Sequence, residues 1–454
     1  MLIAHSIKGQ TVGVLGLGAS GLAALDALHA AGAISFAYDD IKTQKDLPAI
    51  TMAQTQYQPW QDWPWEQINT LVISPGIPHH HPKPHPAAAL AIQHNVEIIS
   101  EVELALRAKP MARLVAITGT NGKSTTTALI GHCLETASVA VAIGGNLGTA
   151  VCALDDPGPD GVMVLELSSY QLETTPSLAP FIAVLLNISP DHLDRHGGMD
   201  GYVAAKTKIL QGLNSKDHRD AGMAVFGSSG IQLETLANTT KAQGIKTVII
   251  TSADTPTAQQ SSSALAGAHN AENASAAALV LAGLGLDDDA INRGIASFKS
   301  LPHRLQTVAS CGNVRFVNDS KATNGVAAAK ALGAFDDIYW VAGGQAKADG
   351  LDPVLAHVSS VKKAYLIGAS AAEFADSLAG HCPAIICHDL DNATRTAFSD
   401  ASAADAGGTI LLAPAAASFD QFVSFSARGE AFSKLAQNLC GQDLCNQQPG
   451  GGHA

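Results

Sequence analysis

Residues 119–124 read "GTNGKS", between a β-rich run at 113–117 and a helical run that starts near Lys123. Gly119, Thr120, Asn121 and Gly122 would form a tight turn whose backbone N–H groups, with those of the following helix, converge on an anion. Lys123 would reach the β- and γ-phosphates of a nucleoside triphosphate and Ser124 would offer its hydroxyl to Mg²⁺, with Thr125 completing the nucleotide-contacting stretch. The pattern G-x-x-x-x-G-K-[ST] asks for glycine where Ile117 stands, so this is a variant of that loop. Glu166, in "VMVLELSSYQLE", closes another apolar run. A carboxylate at a strand's C-terminal end beside a phosphate loop is well placed for Mg²⁺. "NISPDHLDRHG" (187–197) gathers Asp191, His192, Asp194 and His196, and His192 reads equally as metal ligand or proton carrier. Lys206, in "YVAAKTKIL", reads by itself as an exposed helix lysine.

Other chemistry-bearing groups stand at the ends of apolar runs. "GLGASG" (16–21) fits G-x-G-x-x-G after a strand and before a helix, with Asp39 and Asp40 about 20 residues on. That supports a dinucleotide site, or equally the diphosphate of another nucleotide at the same helix N-terminus. "SPGI" (74–77) would flank the crevice. Further on, "PHR" brings Arg304, "NDSKATN" brings Asp319, Lys321 and Thr323, "GGQAK" brings Lys347, and "APAAASFDQF" brings Ser418. Each falls just after an apolar run, where α/β domains hold ligands. His79, His80, His81 and His85 lie among prolines without a matching Cys or Asp partner, a poor metal-ligand pattern.

The elements that must position these groups alternate in type. "TVGVLGLG", "ISFAYDD" and "NTLVISPGI" read as strands and "SGLAALDALHAAG" as a helix stopped at Gly32; "ARLVAIT", "GVMVLEL" and "FIAVLLNIS" open a second unit after Pro110. A third unit begins near "LPHRLQ" and continues through "VRFVND", "DIYWVAGG", "AYLIGA" and "GTILLAPA". This βα rhythm predicts parallel sheets and three consecutive α/β domains. A chain of 454 residues has room for them. Its net charge of −13 argues against a nucleic-acid or anionic-membrane binder, and no apolar run is long enough to span a bilayer. The N-terminus carries no signal-peptide pattern, and 7 scattered cysteines fit free thiols in a reducing cytoplasm.

Taken in order, "GTNGKST", "LELSSYQLE", "DHLDRH", "HNAENA", "LPHR", "NDSKATN" and "ASFDQF" resemble the Mur ligases of peptidoglycan synthesis. The resemblance spans the chain except its tail, and "NDSKATN" with "GLGASGLA" favours the D-glutamate-adding branch. It implies a Rossmann-like nucleotide-sugar domain at 1–109, a P-loop ATPase-like domain at 110–301 and a Rossmann-like amino-acid domain at 302–440; the tail at 441–454, without an apolar period, reads as mobile. The implied activity joins D-glutamate to UDP-N-acetylmuramoyl-L-alanine at the expense of ATP, in a cytoplasmic monomer with two Mg²⁺ ions. By the same resemblance, His192 and Lys206 hold the second metal, the lysine as a CO₂-derived carbamate, and Asn146 lies near the reacting groups. Asn270, Asn273, Arg304 and Asp319 face ATP. Lys321, Thr323, Lys347, Ser418 and the Phe425 backbone take D-glutamate, while Ser20, Asp39 and Ser74 contact uracil and diphosphate. The chain departs from the family at "DIK" after Asp39, where a Thr-Arg pair is common, and at "GGQAK". Another amino-acid ligase of the Mur or folylpolyglutamate type stays open. So does a nucleotide-cofactor oxidoreductase, which would leave "GTNGKS" and Glu166 without a task, and a non-catalytic nucleotide-gated protein. Closure of the third domain toward ATP is also expected.

Overall fold

The structure is a computed structural model describing residues 1–44, 55–215, 222–228, 230–265, 267–346 and 350–446. β1 (Thr11–Leu15), β2 (Ile34–Tyr38), β3 (Thr55–Tyr57), β4 (Ile68–Ile73) and β5 (Glu97–Ile99) form a parallel sheet in the order β3-β2-β1-β4-β5. Helices α1 (Ala19–Ala31), α2 (Pro86–Gln93) and α3 (Glu101–Leu106) connect or flank its strands. The small residues of α1 bury one side of that helix, and it stops at Gly32, whose φ of 76° is the left-handed cap that glycine accepts without strain. The strand order reverses between β1 and β4, so a crevice opens at their C-terminal ends, between the Gly16 turn and Ser74.

The second sheet is parallel as well. β6 (Arg113–Thr118), β7 (Val141–Gly145), β8 (Val162–Glu166), β9 (Ile182–Leu185), β10 (Met223–Phe226) and β11 (Lys246–Ile249) follow the order β11-β10-β9-β6-β8-β7. Its helices are α4 (Lys123–Thr136), α5 (Ser169–Glu173), α6 (Leu193–His196), α7 (Met199–Thr207), α8 (Ile231–Ala242), α9 (Ala268–Gly283) and α10 (Asp288–Ser297). Every residue of β8 and β9 is buried, which explains why these strands read as unbroken apolar runs: both faces of a parallel sheet are covered.

The third sheet contains β12 (Gln306–Cys311), β13 (Val314–Asn318), β14 (Ile338–Gly343), β16 (Val361–Ile367), β17 (Ala384–His388) and β18 (Gly408–Leu412), in the order β12-β13-β18-β14-β16-β17. A short antiparallel pair, β15 (Gln345–Ala346) with β19 (Ala416–Ala417), lies apart from it. α11 (Gly325–Leu332), α12 (Ala371–Leu378), α13 (Leu390–Ala403) and α14 (Phe425–Asn446) accompany these strands. β12 was not legible as a strand. It pairs antiparallel with β13 across a two-residue turn that includes Gly312 at φ 55°, a hairpin edge on an otherwise parallel sheet.

The three main sheets are the three α/β layers expected, and two further features have clear physical causes. By contact the chain forms two compact units, Met1–Ser261 with Glu272–Phe298, and Ser262–Ala271 with the described residues from Lys299 on. The first two sheets share a unit because α3 and its N-cap pack into the second. Ser100 Oγ lies 2.7 Å from Thr175 Oγ1, and Glu101 Oε1 accepts from Cys152 N at 2.6 Å. The free-thiol expectation also needs correction, since Cys311 on β12 and Cys440 on α14 form a disulfide with Cα atoms 5.3 Å apart. A separation of 129 residues hides that pairing from the sequence. Cys133, Cys152, Cys382 and Cys387 are free thiols. The expected tail from residue 441 begins as the last part of α14; residues 447–454 lie outside the described residues.

Candidate functional site

Ile117 is the buried penultimate residue of β6, paired in register with Glu166 of β8 and Val184 of β9. The turn therefore begins only at Gly119, whose φ is 156°, and closes at Gly122, at φ 89°. The variant motif thus spends its first position on strand rather than loop. Asn187, just beyond β9, holds the turn: its Oδ1 accepts from Asn121 N at 2.8 Å and its Nδ2 donates to Asn121 O at 3.0 Å. A side chain at Gly122 would collide with Asn273 Oδ1, so Asn273 stands against the turn from α9; Asn270 is buried one helical turn earlier. Ser124 is buried in the first turn of α4, followed by half-buried Thr125.

Two ammonium groups converge on one carbonyl. Lys123 Nζ donates to Gly119 O at 2.9 Å and to Thr120 O at 2.9 Å, and Lys206 Nζ donates to the same Gly119 O at 2.8 Å. Lys206 is 2% exposed, contrary to its reading as a surface lysine, and its ammonium lies 4.7 Å from the Tyr202 ring centroid. Burial, then the charge of Lys123, holds its pKa well below the ordinary lysine value, against the pull of Asp191 and Glu166.

Glu166, 1% exposed, accepts from Asn146 Nδ2 at 2.9 Å through Oε1, while its buried Oε2 has no hydrogen-bond partner. An orphaned buried carboxylate oxygen at a strand end fits a divalent cation, which would satisfy both its charge and its lone pairs. His192 stands at φ 53° before α6, half exposed, with Nε2 3.4 Å from Asp191 Oδ2 and its ring 5.3 Å from that of Tyr170. Among the described residues no group of three His, Cys, Asp or Glu side chains is arranged as a ready metal cage. Hydroxyl, phosphate or water oxygens would therefore have to complete any Mg²⁺ shell here.

At the first sheet, Ser74 Oγ donates to Gly16 O at 2.9 Å, and Asp39 accepts from Leu17 N at 2.5 Å, Lys42 N at 2.8 Å and Ile41 N at 2.9 Å. Burial alone would raise the Asp39 pKa, but these amides and the Lys42 charge leave it lowered. Half-buried Ser20 sits in the first turn of α1. Lys42 Nζ donates to Leu17 O at 2.8 Å, which puts a cation at the "DIK" departure that sequence reasoning passed over. The His79–His85 run has packing tasks. His79 is buried against Arg195, and His85 caps α2 by accepting from Ala87 N at 3.1 Å.

In the second unit, Arg304 stands in the loop just before β12 and Asp319 just after β13, near enough for the Arg304 charge to act on the carboxyl. Desolvation pushes the Asp319 carboxyl up to about 7, opposed by the Arg304 charge and by the Leu305 N–H. Lys321 Nζ lies 4.1 Å from the Phe425 ring centroid, and Thr323 N donates to Lys321 O at 2.7 Å. Phe425 opens α14, whose first N–H groups have no partner within the helix. Ser418 is buried, and its Oγ has no hydrogen-bond partner. Lys347 lies outside the described residues. Sequence reasoning also missed Arg428. It is 1% exposed and donates to Ser320 Oγ and O at 3.0 Å each, Ala416 O at 3.1 Å and Gly343 O at 3.3 Å. In "SARGEAF" it looks like any surface helix arginine.

Residues 117–281 match the Mur ligase middle domain and residues 303–416 the Mur ligase glutamate ligase domain. The chain is 40% identical to the UDP-N-acetylmuramoylalanine–D-glutamate ligase of Nitrobacter hamburgensis, covering 97% of this chain and 99% of that protein. The chain belongs to the Mur ligase family. The enzyme of the same name from Caulobacter vibrioides is 40% identical over 97% of this chain and 98% of its own, and that of Agrobacterium fabrum 38% over the whole of both. In fold, this Mur ligase is similar to the UDP-N-acetylmuramate–alanine ligase of Thermotoga maritima, with a TM-score of 0.58 at 15% identity over 95% of this chain and 99% of that one. It is also similar to a pseudomurein peptide ligase of Methanothermus fervidus, with a TM-score of 0.54 at 16% identity over 95% and 100%. Mur ligases are ATP-dependent, Mg²⁺-requiring enzymes that form amide bonds, and this chain is one of them. The oxidoreductase reading of "GLGASG" is thereby set aside.

Proposed function

We propose that this Mur ligase joins D-glutamate to UDP-N-acetylmuramoyl-L-alanine, using ATP to activate the alanyl carboxylate. The observation that carries the chemistry is the Gly119–Ser124 turn, with Lys123 and Lys206 on one carbonyl and the orphaned Glu166 oxygen on the neighbouring strand. The choice of D-glutamate is supported by the relatives matched over nearly their whole length. The three sheets are read as three domains, at 1–109, 110–301 and 302–440.

A carboxylate resists attack by an amine because its leaving group would be oxide. In this reading the alanyl carboxylate oxygen bonds to the γ-phosphorus of ATP as the bond to the β-phosphate bridging oxygen breaks, giving an acyl phosphate and ADP. The free amine of D-glutamate then adds to the acyl carbon. The tetrahedral adduct loses a proton from nitrogen and expels inorganic phosphate, leaving the amide. Backbone N–H groups of the turn and of the α4 N-terminus, with Lys123, hold the phosphates, and Asn270, Asn273, Arg304 and Asp319 bind the rest of the nucleotide. Mg²⁺ at Ser124 and Glu166, and at His192 with carbamylated Lys206, would supply the neutralising charge. Asn146 orients Glu166; Ser20, Asp39 and Ser74 take the UDP portion. Lys321, Thr323, Lys347, Ser418 and the Phe425 backbone take the D-glutamate carboxylates. The substrates place the reaction in the cytoplasm, and the working form is read as a monomer. Among the described residues no helix is long and apolar enough to cross a membrane.

The test is phosphate release across candidate amino acids with ATP and UDP-N-acetylmuramoyl-L-alanine. Release that requires D-glutamate and yields the corresponding amide supports the reading. Equal rates with L-glutamate, or without the acceptor, sink it.

A further inference from the structure

Arg195, three residues beyond His192, belongs to no role assigned above. Its Nη2 donates to Ile77 O at 3.3 Å and lies 3.2 Å from His79 Nδ1; its Nη1 donates to Glu173 Oε2 at 3.3 Å. Arginine only donates, so His79 Nδ1 must be the unprotonated acceptor nitrogen. The guanidinium carbon lies 4.9 Å from the Tyr170 ring centroid, and that ring lies 5.3 Å from the His192 ring. On the other side, Ile77 N donates to Ser74 O at 3.0 Å, and Ser74 Oγ in turn donates to Gly16 O. One nearly buried side chain therefore bridges the turn that closes the first sheet's crevice and the segment carrying His192 in the second.

We infer that Arg195 is a positioning residue that couples acceptor binding at the Gly16–Ser74 crevice to the metal position at His192. The inference rests on the proposed ligase reading for the identity of the acceptor and the ion. A guanidinium with three fixed partners on two elements cannot follow the Ser74–Ile77 turn without moving its stack on Tyr170, and Tyr170 walls His192. A shift of the turn when the nucleotide sugar binds is thus felt at the metal position. By linkage the ion must then favour the acceptor by the same factor. An ion pair retained only for stability would be a poor use of this place, since desolvation offsets most of its attraction.

The test is calorimetric titration of UDP-N-acetylmuramoyl-L-alanine into the intact protein, with and without Mg²⁺. In the unaltered protein Mg²⁺ is expected to tighten the acceptor by about tenfold, within the usual range for coupled sites. Arg195→Lys, which keeps the charge but loses the fork, and His79→Leu should each bring that factor below about twofold. His79→Asn, whose carbonyl oxygen can replace Nδ1 as acceptor, should retain it. Affinity for an ATP analogue and the melting temperature identify variants that have merely misfolded. Folded Arg195→Lys and His79→Leu proteins with the full Mg²⁺ effect overturn the inference, as does an unaltered protein in which Mg²⁺ has none. Failure of the ligase reading appears separately, as absence of amide product from the unaltered protein.

Discussion

At the residue scale, the site depends on groups whose ordinary chemistry is altered by burial. Lys206 looked like a surface residue and is almost wholly enclosed beside Gly119 O, with its pKa held down chiefly by desolvation. Lowering that pKa raises the share of the neutral amine, the form that can take up CO₂. On the proposed carbamate role, Lys206→Ala is expected to cost about ten- to a hundredfold in activity, the range for losing a group that supports a metal site. Part of the activity should return with high bicarbonate or a short added carboxylic acid; a variant that never responds would remove the carbamate role. Glu166→Gln keeps an acceptor for Asn146 but deletes the charge. The Mg²⁺ concentration for half-maximal activity should rise by about ten- to a hundredfold, and an unchanged Mg²⁺ profile would place the ion elsewhere. The phosphate loop and Glu166 were legible because residue type, spacing and strand context coincide there. Lys206 was legible only through family resemblance, because helix periodicity says which face a residue shares, not what covers that face.

At the element scale, two buried groups pin elements together. Arg428 ties α14 to the ends of β13, β14 and β19 through three carbonyls and Ser320 Oγ. Arg428→Met strands those acceptors and should cost about 3 kcal/mol or more of stability, read from denaturant midpoints. Weaker D-glutamate binding should accompany it, since Phe425 and Lys321 sit on the same elements. Glu101 joins α3 to the 3₁₀ turn at Val151–Ala153. Desolvation raises its pKa from 4.5 to about 7, against the amides of Cys152 and Val151. The folded protein then keeps a proton that the unfolded chain releases at lower pH. This contribution to stability is full below pH 4.5, falls as pH rises toward 7, and amounts to about 3 kcal/mol at most. Glu101→Gln should flatten that slope in unfolding measurements between pH 5 and 7; an unchanged slope would mean that Glu101 is ionised throughout.

At the scale of the whole molecule, the residues read as ATP and D-glutamate contacts are divided between two compact units. Catalysis by the proposed route requires them to act on one set of substrates, so ligands should draw the units into a common working arrangement. Solution scattering with ATP analogue, acceptor and D-glutamate together is expected to give a smaller radius of gyration than the free protein. Equal radii in both states would count against closure.

The sequence by itself determined the α/β class, the strand-end positions of the phosphate loop, Glu166 and Asp319, and the family, because these depend on local periodicity and on motifs contiguous in the chain. Only the tertiary structure decided that the first two sheets share a unit, that Cys311 meets Cys440, and that Lys123 and Lys206 share a carbonyl. It alone also placed Arg195 between Ile77 and Glu173. Each of these joins residues far apart in the chain through burial, and burial is a property of what packs over a side chain rather than of its sequence neighbours.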